Sequence, residues 1–133
     1  MKLLLDTCSL IWALQNAGQL SAPARKALQA PQNSVSVSIV SFWEISLKFG
    51  LGKLTLHGAD PEDFPRFVGE AGWDILPLSQ EIAASAGRLQ RNPDHRDPFD
   101  RLLIWTAINE GFSLVSGDAA FPDYAPHGLK ICW

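Results

Sequence analysis

Cysteine is nearly absent from this chain of 133 residues. Cys8 and Cys132 stand near opposite ends, with no C-x-x-C pair and no Cys/His group, which argues against a disulfide framework and against a zinc site. The sequence therefore reads as a reduced, intracellular protein. Long hydrophobic runs are missing too. Leu3-Leu4-Leu5 is stopped by Asp6, too early for a secretory core, and no stretch approaches the length that spans a bilayer. The expected location is the cytoplasm, with no membrane partner. A basic excess is also lacking: 14 acidic against 11 basic side chains give a net charge of -3, which argues against a simple basic nucleic-acid binder. Internal repeats and low-complexity tracts are absent, and the 10 glycines and 9 prolines are scattered, so collagen-like and linker readings fail.

What is present is a core. Hydrophobic residues make up 47% of the chain and charged residues 19%, which excludes a disordered segment. At 14.6 kDa the chain forms one domain, residues 1–133, and by area scaling exposes about 6,900 Å² folded against roughly 21,000 Å² unfolded.

The pattern alternates short apolar runs with helical periodicity. Leu3–Leu5 reads as a buried strand, followed by a helix capped by Thr7 and carrying Leu10, Ile11 and Leu14. Ser21, with Pro23 in the first turn, opens a second helix. Residues 34–39 alternate Ser, Val, Ser, Val, Ser, Ile, a period-two strand. Ser41-Phe42-Trp43-Glu44 then reads as the S-x-x-E start of a helix. Pro61 starts another helix ending near Gly72, 73–78 is a third strand, and Ser79 caps a helix with Ile82. Asp97-Pro98 opens a helix that is apolar nearly all round, closed by Gly111; strands at 112–116 and 129–132 follow. Strands alternating with helices imply an α/β fold: a parallel sheet of about five strands flanked by helices on both faces.

In such a sheet, sites lie beyond the carboxyl ends of the strands. Asp6 directly follows the first strand, Asp118 the fourth, Glu44 lies in the helix after the second, and Asp97 and Asp100 open the apolar helix. Each has an ordinary structural role available. Asp6 can accept a bond from the next helix, Glu44 can pair with Ser41 and Lys48, Asp97 can cap its helix, and Asp100 can complement the helix dipole. His95 reads as a loop residue. The coincidence of Asp6, Glu44, Asp100 and Asp118 is what carries weight. Gathered carboxylates need protons or a cation, and hard oxygen ligands without thiols suit Mg²⁺ or Mn²⁺. Such an ion polarises a phosphate and activates water, the chemistry of phosphodiester hydrolysis.

The stretches Leu3-Leu4-Leu5-Asp6-Thr7, Ser41-Phe42-Trp43-Glu44-Ile45, Asp97-Pro98-Phe99-Asp100-Arg101-Leu102-Leu103-Ile104 and Leu114-Val115-Ser116-Gly117-Asp118 together resemble the PIN-domain family, most closely VapC toxins of bacterial type II toxin–antitoxin pairs. The segment His95-x-Asp97-Pro98-Phe99-Asp100-Arg101 is the most specific part of the likeness. The resemblance implies a parallel five-stranded sheet and Mg²⁺- or Mn²⁺-dependent endoribonuclease activity. It implies Asp6, Glu44, Asp100 and Asp118 as catalytic metal ligands, with Asp97 as an added acid near the metal. Thr7 and Ser116 would support them through their hydroxyls. It also implies a homodimer and a small antitoxin covering the active site, for which Trp12 is a candidate contact. Lys48, Lys53, Arg88, Arg91, Arg96 and Arg101 could steer RNA phosphates, with Lys48, Arg96 and Arg101 the candidate RNA-binding residues. Cys8 is given no role.

A phosphohydrolase of haloacid-dehalogenase type also places an Asp after the first strand, but needs a second two residues on, where Cys8 stands. A non-catalytic module of the same fold predicts gaps in the acidic set, and there are none. A receiver domain would want paired acids near the first strand end and a late Lys, both absent. The net charge also reads differently: without Asp6, Glu44, Asp100 and Asp118, 10 acids face 11 bases. The acidic excess is then local to one site.

Overall fold

In the computed structural model, which describes all 133 residues, the strands are β1 (Lys2–Leu5), β2 (Ser34–Ser38), β3 (Asp74–Leu76), β4 (Ser113–Val115) and β5 (Lys130–Cys132). They form one all-parallel sheet in the order β3-β2-β1-β4-β5. The helices are α1 (Thr7–Gln15), α2 (Ala22–Gln29), α3 (Ile39–Gly50), α4 (Phe64–Glu70), α5 (Gln80–Ser85) and α6 (Pro98–Glu110), with short 3₁₀ turns between them. The solvent-accessible surface is 7324 Å², close to the value expected for a chain of this mass.

The chain begins in the middle of the sheet, steps outward through β2 and β3, then returns to lay β4 on the other side of β1. The β1/β4 junction is thus the point where strand order reverses, the usual location of a crevice in an open α/β sheet. Leu5 pairs in register with Val115 and Val37. Residues just beyond these positions therefore emerge side by side.

Alternation along β1 divides the core into two layers. Leu3 and Leu5 pack with Leu10, Ala24, Val35, Val37, Ile45, Phe64 and Val68, under α1–α4. Leu4 faces the opposite layer with Leu103, Ile104, Ala107, Leu114, Phe121 and Tyr124, under α6 and the 3₁₀ segment Phe121–His127. Burial on both faces explains why β1 is uninterrupted leucine. It also explains β2: Ser36 and Ser38 alternate with valine yet are buried, since both faces of this strand are covered.

Two helix starts differ from the sequence reading. The cap of α1 is Asp6, whose carboxylate accepts the Ser9 N–H at 2.7 Å, so Thr7 is the first helical residue. The helix after β2 begins at Ile39, two positions before Ser41, because the Ser38 hydroxyl accepts the Val40 N–H and caps it. Ser41 is inside α3, and no capping box joins it to Glu44. The expected starts at Ser21, Ser79 and Asp97 hold, each side chain accepting a backbone N–H of its helix. Gly111 closes α6 at φ 76°, a left-handed conformation suited to glycine.

Candidate active site

Beyond the carboxyl ends of β1 and β4, Asp6 and Ser116 leave the sheet next to each other. The Asp6 N–H donates to the Val115 carbonyl at 3.1 Å, and its side chain is 4% exposed. Burial pushes the Asp6 carboxyl above its ordinary range, opposed by hydrogen bonding from Ser116 and Ser9, with the Asp118 charge pushing it further up. Asp118 is exposed and is held in a tight turn: its N–H donates to the Ser116 hydroxyl at 3.1 Å, and its carboxylate accepts the Ala120 N–H at 2.9 Å. The hydroxyl of Thr7 is instead spent on Ser41 of α3, at 3.1 Å in the buried layer.

Asp100 is the hub. Its carboxylate belongs to two groups whose ligand atoms all lie within 4.8 Å of one another, Glu44–Asp97–Asp100 and His95–Asp100–Asp118. The first group forms because α3 and α6 pack side by side, presenting Glu44 from the second turn of one helix and the first turn of the other. Asp97 caps α6 through the Asp100 N–H at 3.0 Å. Capping consumes one of its oxygens; the other lies 3.7 Å from Lys48 Nζ. Burial, with the nearby Asp97 and Glu44 charges outweighing the His95 hydrogen bond, raises the Asp100 carboxyl from 3.8 to about 6. Asp6 belongs to neither group and sits behind them.

Glu44 tests whether a cation fits. It is 4% exposed, one oxygen is ion-paired with Lys48, and Oε1 is buried with no partner at all. An unpartnered carboxylate oxygen in the interior is costly. The Glu44 carboxylate also groups with those of Asp97 and Asp100, so this all-oxygen donor set fits a hard divalent ion. Lys48 offsets part of the charge. Burial would lower its ammonium, but Glu44, Asp97 and Asp100 outweigh this and hold it above its usual value. Cys8 is exposed, yet desolvation of its thiol, then the Asp6, Glu44 and Asp100 charges, push it up to about 11, so it stays a thiol.

The sequence reading of His95 as a loop residue missed its role. It is 7% exposed, with Nδ1 2.9 Å from the Tyr124 hydroxyl and Nε2 3.2 Å from Asp100 Oδ2. Arg101 Nη1 donates to the same hydroxyl at 3.1 Å. A carboxylate can only accept, so with the ring neutral Nε2–H donates to Asp100, Nδ1 accepts from the Tyr124 O–H, and the tyrosine oxygen accepts from Arg101. The order Arg101, Tyr124, His95, Asp100 is thus a directional chain that aims the hub carboxylate. Tyr124, the only tyrosine, was not singled out from sequence; a sole tyrosine inside an apolar layer needs a partner for its hydroxyl, and that was the available signal. Arg101 also differs from expectation. Its guanidinium is committed to the Leu89 and Gln90 carbonyls as well as Tyr124, which makes it a clamp on the 89–95 loop.

Gly117 lies between Ser116 and Asp118, and the Trp133 indole presses against it so closely that a Cβ there would stand 2.5 Å from the ring. Trp133 in turn packs on Trp12 at 6.1 Å. This contact seats the loop carrying Asp118 and uses Trp12 inside the molecule.

The PIN-domain family model matches residues 3–126. The chain belongs to the PIN-domain family. No curated protein matches its sequence. Among solved structures, a chain of VapBC2 from Rickettsia felis, bound to a DNA fragment from their promoter, is similar with TM-score 0.68 and 20% identity over 98% of this chain and 97% of that one. DNA-bound VapBC from Salmonella typhimurium gives 0.65 and 20%, covering 98% and 96%. VapBC-1 from nontypeable Haemophilus influenzae gives 0.66 and 16%, also covering 98% and 96%. At these identities the likeness is one of fold. The PIN match agrees with the five-stranded parallel sheet and with both expectations of fold and family.

Proposed function

We propose that this PIN-domain chain is a Mg²⁺- or Mn²⁺-dependent endoribonuclease and the toxin of a toxin–antitoxin pair. The observation that carries the reading is Asp100: one carboxylate shared by two acidic groups at the strand-reversal edge, beside a buried Glu44 oxygen without a partner. Glu44, Asp97 and Asp100 would hold the ion, with Asp118 and Asp6 completing the acidic wall. When bound, the ion supplies charge neutralisation at a phosphate and a more acidic water. The side chains do the rest. His95 fixes the direction of Asp100, Ser116 beside Asp6 accepts from the turn carrying Asp118, and Lys48 supplies positive charge at the rim. In the net reaction, water adds across a P–O bond of RNA and two strand ends leave.

VapBC neighbours support a protein antitoxin as partner. Along α3 and its C-cap, Ile39, Trp43, Leu47 and Leu51 recur every four residues and are 39–65% exposed, an apolar stripe fit for a protein partner or for a second copy in a homodimer. No helix is long and apolar enough to cross a membrane, and a cytoplasmic location goes with this reading. A haloacid-dehalogenase-type reaction gains no support, since the position it requires is Cys8. Expression in a bacterial host is the test: growth should arrest with the unaltered chain and recover with Asp6→Asn. Equal toxicity of both, or of neither, would count against the reading.

A further inference from the structure

His95, which bonds to Asp100, also lines a cleft of about 460 Å³ with Arg91, Asn92, Pro93, Arg96 and Arg101, together with Gly87. No carboxylate lines it. That is unexpected in a chain whose acids outnumber its bases 14 to 11. Its three arginines are half of the chain's six, and Arg88 brings four of the six into fourteen consecutive residues. Like charges converge here with no carboxylate in the lining itself, Asp123 standing only at the adjoining lip, an arrangement that favours an anion.

The three guanidiniums are not equivalent. Arg101 is saturated by two carbonyls and the Tyr124 hydroxyl and builds the wall. Asn92 is tied to Asp123 at 3.1 Å, which steadies the opposite lip. Arg96 uses only Nε, donating to the Pro93 carbonyl at 3.0 Å, so both terminal nitrogens are free. Arg91 is exposed and lines the cleft without a hydrogen-bond or ion-pair partner. Two open forks on a braced frame match phosphate oxygens, which guanidinium groups bind in a planar, two-pronged manner.

We propose that this cleft is a phosphate subsite for the RNA strand, with Arg91 and Arg96 gripping a phosphodiester that flanks the one presented to the carboxylates. The proposal rests on the nuclease reading and adds the strand's path to it: acids and their cation beside Asp100, and a backbone grip in the cleft that His95 shares. Lys48, by contrast, is taken up by Glu44 and Asp97, and Arg101 serves the frame.

The test uses a fluorescent single-stranded RNA and the full chain in EDTA, with binding read by anisotropy across a salt series. Arg91→Ala and Arg96→Ala should each weaken binding and flatten the slope of log K against log salt by about 0.7, and the double variant by about 1.4. Arg66→Ala, on α4 and paired with Asp63 and Glu70, should leave both unchanged. Wild-type affinity and slope in the double variant would overturn the proposal. So would tighter, equally arginine-dependent binding of a poly-glutamate peptide of matched charge, which would reassign the cleft to an acidic protein segment. Cleavage by the same proteins with Mg²⁺ separates the two readings. Metal-dependent cleavage with arginine-independent binding sinks the cleft alone; arginine-dependent binding without cleavage under any metal sinks the nuclease alone.

Discussion

Replacing Tyr124 with Phe removes one oxygen and little else. The ring is 1% exposed and packed between Phe121, Leu103 and their neighbours, so its volume and contacts survive. What goes is the group that donates to His95 Nδ1 at 2.9 Å and accepts from Arg101 at 3.1 Å. Arg101 keeps its two carbonyl partners and loses little. His95, 7% exposed, is left with an unsatisfied ring nitrogen, a loss of about 1–3 kcal/mol. Urea denaturation should show the unfolding free energy falling by that amount, through a lower midpoint at unchanged slope. Nitrogen chemical shifts of His95 should report a mixture of tautomers in place of Nε2–H alone. Because the aim of Asp100 is lost, Mn²⁺ affinity measured by calorimetry should fall by about 10–100-fold, as when partners behind metal ligands are removed. Stability within 0.5 kcal/mol of the unaltered chain, with His95 still locked as one tautomer, would refute the directional chain.

Asp100→Asn should stabilise the metal-free protein while abolishing cleavage. Because the folded carboxyl sits near 6 and the unfolded one at 3.8, the native state binds the extra proton in between, and native stability falls as pH rises through that window. The variant should therefore gain on the unaltered chain between pH 4 and pH 7, by on the order of 1 kcal/mol; a constant difference across that range would contradict the raised carboxyl. Gly117→Ala forces a Cβ into Trp133, so tryptophan emission should shift to the red and RNA cleavage fall while far-ultraviolet dichroism stays the same. Unchanged emission would mean the contact is dispensable. Ser38→Ala removes the cap of α3 and should cost about 1 kcal/mol in denaturation, whereas Ser41→Ala should leave the helix start intact; the reverse ranking would restore Ser41 as cap.

Much of this was legible in the residues because periodicity and strand-end position are local signals. The uninterrupted leucines of β1, the β-branched alternation of β2, and Asp97-Pro98 before an apolar helix each report their element directly. Carboxylates at strand ends could be grouped because the parallel topology brings those ends to one edge. The errors lie where tertiary contact decides. Ser38 and Ser41 are equally good caps by composition, and only the exit of β2 from the sheet selects Ser38. Arg101 resembles an RNA ligand until its three acceptors are seen. His95 and Tyr124 are 29 residues apart, and no local pattern announces that the two meet above Asp100. The arginine cleft depends on the same folding of the 86–96 segment onto α6.

Metal-dependent RNA hydrolysis by the chain itself is the most direct measurement. Purified protein, freed of any partner and stripped with EDTA, is mixed with end-labelled RNA, and Mg²⁺ or Mn²⁺ is then restored. Internal cleavage should appear only after the ion returns and should be missing for Asp100→Asn, a variant expected to be at least as stable as the parent. Cleavage that persists in EDTA, or full activity without the Asp100 carboxylate, would contradict it.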